Sequence, residues 1–411
     1  MPTTDRMQGE ANNADAHPTD VRSAAAADSP APVSWRKRAF AWGLALVALA
    51  FVATQVPVRD RCEDPSASAA IAGTKAARVP VSLADDGTCI LHRAGGDARL
   101  PRSECTGPKC DPGLVSTFAR IRIVPVLGLC VLYFFATFAW AARWRALLTL
   151  AKVPVTQLEA WRITLEAQAG GIILPGGIGG DALRVGFVAR KGANLPTVIA
   201  AVLLDRAIGL VTLAGLAAVF AATNLDGSSP PTLLVVLGSI PVAFVVGLLA
   251  LRWGPIARAP FLVRGPLARV AKPVLDYLGE PGAPRAVLTG VLISLVVSAT
   301  QLGTIRGFVW ALGTTPTSEL WVYVGATMSF IVGAIPALPG GWGTSDAAFV
   351  LFFAKAGIEG PTALTVSLLY RLFWYASGAV GAVLYLLRQH ASTIRPSTPS
   401  AGARESQEQP R

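Results

Sequence analysis

Histidine is nearly missing from this chain: its three copies, His17, His92 and His390, are scattered in the flanks. Also missing are an H-E-x-x-H pair, a nucleophile elbow, a Walker phosphate loop and a dinucleotide-binding glycine fingerprint, so neither metal hydrolysis nor ATP-driven transport finds support. No cofactor or metal is therefore expected. Charge is scarce as well. Only 15% of the 411 residues are charged against 52% hydrophobic, where soluble domains carry roughly a quarter charged residues. This excludes a pair of soluble domains. The net charge of +11 could suggest a nucleic-acid partner. The basic residues, however, sit in short loops beside apolar runs and form no interleaved basic and aromatic surface, so no nucleic acid is expected.

Long apolar runs are what the sequence has in abundance. Those at 39–56, 123–142, 197–222, 232–251, 286–312 and 361–387 approach or exceed the ~20 residues that cross a ~30 Å hydrocarbon core. Two more, near 163–174 and 320–338, run into Pro-Gly-Gly. The expectation is an all-α polytopic membrane protein with about six full spans. Arg36, Lys37 and Arg38 precede the first run, and Arg143, Trp144 and Arg145 end the second. Arg252, Arg258, Arg264, Arg269, Lys272 and Arg285 crowd one connection, whereas 223–231 and 313–318 contain no Lys or Arg. Basic loops stay inside, which places both termini in the cytoplasm and the chain in the plasma (inner) membrane. The resulting organisation is a disordered tail at 1–34, a first span at 35–56, an extracytoplasmic loop at 57–118, a membrane domain at 119–388 and a second tail at 389–411.

Four of the five cysteines, Cys62, Cys89, Cys105 and Cys110, lie in the 57–118 loop. On the outer side of a membrane they are expected to form two disulfides, with three possible pairings. A zinc site is disfavoured, since there is no C-x-x-C and His92 is the only histidine nearby. Cys130, within the second run, reads as a packing residue.

The chain also repeats itself. Leu174-Pro175-Gly176-Gly177-Ile178-Gly179 matches Leu338-Pro339-Gly340-Gly341-Trp342-Gly343, and an aspartate follows each, Asp181 and Asp346. From each aspartate a glycine stands 11 residues on (Gly192, Gly357), Pro-Thr begins 15 on, and an arginine closing Leu-Leu-x-Arg lies 25 on (Arg206, Arg371). Shared spacing through so many residue types points to duplication, with repeats at about 140–222 and 303–388. The charge pattern runs the two copies in opposite directions, hence an inverted repeat. The segments after each break, 180–190 and 345–356, are too short to cross, so each break reads as the corner of a re-entrant hairpin.

A broken backbone survives at membrane depth only where protein buries it or it lines a wet cavity. The candidate substrate site is therefore Pro175, Gly176, Gly177, Gly180, Asp181, Arg184, Asp205, Arg206, Pro339, Gly340, Gly341, Gly343, Asp346 and Arg371. Glycine lets backbone approach a ligand, and helix N-termini offer N–H groups to an anion, a phosphate foremost. Asp181, Arg184 and Asp346, beside the breaks, favour the site; Asp205, Arg206 and Arg371 equally fit an internal clamp between the halves. Glu166 and Arg306 are weaker candidates. Trp35, Trp140, Trp144, Trp161, Trp321 and Tyr323 are expected to anchor at the interfaces.

The run Pro175-Gly-Gly-Ile-Gly-Gly-Asp181-Ala-Leu-Arg184, then Leu203-Leu-Asp205-Arg206, then Pro339-Gly-Gly-Trp-Gly-Thr-Ser-Asp346 and Leu369-Tyr-Arg371, resembles the lysylphosphatidylglycerol synthase transmembrane region family of flippase-like proteins, over roughly 120–388. The resemblance implies lipid movement or lipid binding. Asp346 stands where that family more often has Glu, the cysteine loop is an addition, and nothing after 388 is expected to hold an aminoacyltransferase. The leading expectation is a translocase or binder of an anionic or polyprenyl-phosphate-linked lipid, without a catalytic residue. A membrane-embedded glycosyl or lipid transferase and an accessory scaffold of a lipid-modifying enzyme are the alternatives.

Overall fold

A computed structural model describes residues 50–63, 78–83, 88–92, 96–101, 110–173, 178–223, 231–253, 268–334 and 341–394. Most of the first apolar run, the corner residues Pro175, Gly176, Gly177, Pro339 and Gly340, and Cys105 lie outside them.

Residues 50–55 are helical and lead into a small sheet. Strands β1 (Arg61–Glu63), β2 (Arg78–Leu83), β3 (Cys89–Leu91), β4 (Ala98–Leu100) and β5 (Cys110–Asp111) pair antiparallel in the order β4-β3-β2-β1-β5. Alternation puts Val81, Cys89 and Leu91 with Cys62 in one miniature core. Cys62 and Cys110 are register partners with Cα atoms 4.0 Å apart, and they are joined as a disulfide. The expectation of two disulfides is corrected at Cys89, which is a buried free thiol. Its register partners are Leu83 on β2 and Leu100 on β4, so no cysteine faces it across either ladder. Asp60 ties the sheet to the helix α1 (Leu114–Ala119) by accepting from Gly113 N–H at 2.6 Å and from the Ser116 hydroxyl.

The rest is helical: α2 (Ile123–Leu148), α3 (Gln157–Ile173), α4 (Ile178–Ala189), α5 (Leu195–Thr223), α6 (Pro231–Trp253), α7 (Ala268–Gly279), α8 (Ala283–Ala311), α9 (Glu319–Ala334), α10 (Thr344–Lys355) and α11 (Gly360–Ile394). Among the described residues four stretches are long and apolar enough to span a membrane, Ile123–Ala151, Leu195–Thr223, Ala283–Ala311 and Gly360–His390. At ~1.5 Å per residue each exceeds the ~30 Å hydrocarbon core. α6 is apolar over Leu234–Ala250. Valines and leucines such as Val124, Leu127, Val131, Val242, Leu288 and Leu292 point outward from these helices, the surface that hydrocarbon covers in a membrane protein.

The order of lengths repeats. α2, α3, α4 and α5 run long, short, short, long, and α8, α9, α10 and α11 do the same; the short members have 17 and 12 residues in the first set and 16 and 12 in the second. Within each set the short helices contact each other, and α11 lies along α3. Gly378 and Gly381 make that approach possible: a Cβ on Gly381 would collide with the Leu165 backbone, and one on Gly378 would stand 3.4 Å from Ala169 N. Small residues at helix crossings let dispersion contacts replace a hydrophobic drive that lipid cannot supply. α7 differs from the spans, with Tyr277 and Leu278 buried and Lys272 and Asp276 exposed. Its Tyr277 hydroxyl donates to Leu147 O at 2.8 Å, and burial pushes that phenol well above its usual pKa.

Candidate functional site

The two aspartate-to-arginine spacings are realised as two ion pairs. Arg206 on α5 contacts Asp181 in the first turn of α4 through Nε. Arg371 on α11 donates from one Nη to both oxygens of Asp346 in the first turn of α10, at 2.9 and 3.0 Å. A short helix and the long one after it are thus joined by an aspartate–arginine pair in both sets.

The pairs differ in surroundings. Asp346 is buried, accepting also from the Ser367 hydroxyl at 2.6 Å and from Gly343 N–H at 2.9 Å, which caps α10. Gly343 has φ +78°, which favours glycine there. The Arg371 guanidinium lies 4.2 Å from the centre of the Trp342 ring. Arg206 is more open, its side chain 41% exposed.

Next to Arg206, Asp205 is buried and shared by two buried arginines, Arg143 of α2 at 2.6 Å and Arg184 of α4 at 3.5 Å. The Trp140 indole N–H adds a third donor at 3.0 Å. Arg143 continues to the Ser294 hydroxyl of α8 at 3.0 Å. Gly209 makes room for it, since a Cβ there would sit 2.8 Å from Arg143 Nη1. Arg184 lies over the rings of Trp140 and Trp144, 4.5 and 5.5 Å from their centres. These contacts correct the belt reading of Trp140 and Trp144: one is a hydrogen-bond donor to a buried carboxylate, and the other is wholly buried. Arg143, read from the sequence as a loop charge, is inside α2 because the helix runs on to Leu148. Trp161 is tied to Thr137 at 3.0 Å and half-buried.

A cavity of about 360 Å³ opens between these groups. Of the residues singled out from the sequence, Gly180, Asp181, Arg184, Asp205, Arg206 and Arg371 line it. Asp346 stands behind Arg371, and Gly341 and Gly343 shape the corner without lining the space. Pro175, Gly176, Gly177, Pro339 and Gly340 are outside the described residues. Gly180 lets α4 start against α3, where a Cβ would stand 2.6 Å from Ala167 O. Gly341, at φ +66°, does the same in the second set, with a Cβ position 2.9 Å from Gly333 Cα. No sequence signal pointed to Tyr133, Gln168, Gln301 or Trp374, which also line the space. Uncharged and set in apolar helices, they carry no signal until the helices meet. Glu166 is buried between Arg162 and Arg388 at 3.6 and 3.5 Å, away from the lining, and Arg306 pairs with Glu319 at 2.7 Å.

Four arginines and two aspartates line the cavity, and Asp346 is a third carboxylate behind it. The excess of positive charge, held in a low-dielectric setting, suits an anion. The family described as Lysylphosphatidylglycerol synthase TM region matches residues 113–381. No curated protein and no solved structure matches the chain.

Proposed function

Because this chain belongs to the Lysylphosphatidylglycerol synthase TM region family, we propose that it binds the anionic head group of a membrane lipid in the central cavity and carries it between leaflets without ATP. The observation that supports this most is the cavity itself, lined from both sets of helices and holding more arginines than aspartates. In this reading the helix pairs α3–α4 and α9–α10 are re-entrant hairpins of an inverted repeat, six spans cross the bilayer, and both termini lie in the cytoplasm of a plasma-membrane protein. Arg206, the most open of the cationic groups, meets the phosphate first. Arg184 and Arg371 hold it deeper, and the halves expose the site alternately. The shared Asp205 belongs to the frame. A transferase would need a carboxylate poised as base, but each aspartate lining the cavity is engaged by arginine.

The test is a scrambling assay in liposomes with a fluorescent anionic phospholipid, together with native mass spectrometry for co-purified lipid. Arg206→Ala should abolish movement in a folded protein. Normal movement by both Arg206→Ala and Arg371→Ala would overturn the reading.

A further inference from the structure

The two arginines that the repeat places in equivalent positions differ in how they meet the exterior. Arg206 lines the cavity with a side chain 41% exposed, so the space communicates with the outside there. Arg371 also lines it, yet its side chain is only 7% exposed. Its cover is Trp342, whose ring centre lies 4.2 Å from the guanidinium carbon. Trp342 is not among the lining residues and is itself exposed. The indole therefore stands between Arg371 and the exterior.

A second contact holds that ring in place. Its N–H donates to the Tyr375 hydroxyl at 2.6 Å, and the two rings lie nearly parallel, with 26° between their planes. Tyr375 follows Arg371 by one turn of α11, so the arginine and the anchor of its cover share a helix. The backbone at Trp342 is flanked by Gly341 and Gly343, both at positive φ, +66° and +78°. Small residues with such freedom often absorb a hinge rotation. The first repeat has no such pair: Ile178 stands in the place of Trp342, and Leu210, four residues after Arg206, in the place of Tyr375. Neither aliphatic side chain can donate or accept a hydrogen bond. Anchoring at a membrane interface would account for an exposed indole, but not for its seat on Arg371 and its bond to Tyr375.

We propose, resting on the lipid-translocase reading above, that Trp342 and Tyr375 form a gate, and that parting them opens a second mouth of the cavity at Arg371. The structure then holds one state of the cycle, open at Arg206 and shut at Arg371. Alternating exposure needs one mouth closed while the other is open, and it needs a closure that can be undone. One hydrogen bond and one cation–π contact make such a closure, specific in geometry and weak in energy. The Asp346–Arg371 pair lies behind the ring and ties α10 to α11, so the ring can swing aside without breaking that tie.

The experiment is thiol labelling of the full chain carrying Ser345→Cys, a position on the cavity wall. An impermeant maleimide is applied to right-side-out and to inside-out membrane vesicles, and peptide mass spectrometry reads the modified position. With the gate intact, label should enter from one face only. Trp342→Ile and Tyr375→Leu, which install the residues of the first repeat, should let it react from the other face as well, about tenfold faster than in the parent or more. Tyr375→Phe keeps the ring and removes only the hydrogen-bond acceptor, so it tests the gate even where the larger changes misfold. It should raise the rate from that face about fivefold, the effect of one net hydrogen bond. Labelling of the parent from both faces or from neither, or a rate unchanged in Tyr375→Phe, overturns the gate. The labelling involves no lipid substrate, so failure of the parent to move anionic phospholipid in liposomes overturns the translocase reading separately.

Discussion

Two neighbouring residues on α5, Asp205 and Arg206, have opposite characters, and the difference can be measured. Asp205 is buried beneath Arg143, Arg184 and Trp140. Asp205→Asn leaves two buried guanidinium groups short of a counter-charge, which should cost about 3–5 kcal/mol of stability. Thermal unfolding in detergent would show it, and a variant as stable as the parent would refute the clamp. Arg206 is partly exposed at the cavity wall, so Arg206→Ala should leave the melting temperature nearly unchanged and act on lipid movement alone. Read from the sequence, both roles stayed open for this pair. Burial separates them, and burial depends on α2 and α4, which lie about twenty to sixty residues away in the chain.

At the scale of elements, the corners of the helix pairs depend on particular glycines. Gly341→Ala forces a side chain into φ +66° and against Gly333, so a loss of about 1–2 kcal/mol is expected. Gly186→Ala, inside α4 with open space at its Cβ position, should instead stabilise by up to ~1 kcal/mol. Equal effects of the two in urea or thermal titrations would contradict the packing of the pair α9–α10. The helices themselves were legible in advance, since apolar runs at 197–222 and 286–312 became Leu195–Thr223 and Ala283–Ala311. The aspartate-to-arginine spacing was equally legible, and it became the bond between a short helix and its successor. The sheet at 61–111 was not. Its strands are two to six residues long, too short for a period-2 pattern to stand out from a polar loop. Nor were the uncharged residues of the cavity lining, because a glutamine such as Gln168 carries no signal in an apolar run until another helix closes over it.

For the whole molecule, the sheet and the helical domain are linked by little chain. Cys62 and Cys110 enclose most of the sheet, so Cys62→Ser should loosen it, with a loss of at most ~4 kcal/mol confined to that unit, and spare lipid movement. Hydrogen exchange would localise the change, and protection lost in α5 or α8 would contradict it. The proposed orientation is testable at exposed positions on either side. A cysteine at Asp97 should react with an impermeant maleimide in intact cells, and one at Lys191 only after lysis; the reverse pattern would invert the topology and with it the proposed direction of entry. The four arginines of the cavity, finally, belong to α2, α4, α5 and α11 and remain fixed to those helices. In the proposed translocation, an anion passing among them would travel with its own charge uncancelled, so the bilayer's electrical potential would act on it directly, at about 2.3 kcal/mol per charge per 100 mV. With the cytoplasm negative, the outward direction is downhill for such a head group. An imposed potassium diffusion potential in liposomes should therefore accelerate the proposed movement in one direction and slow it in the other, with the resting voltage of the cell as its driving force.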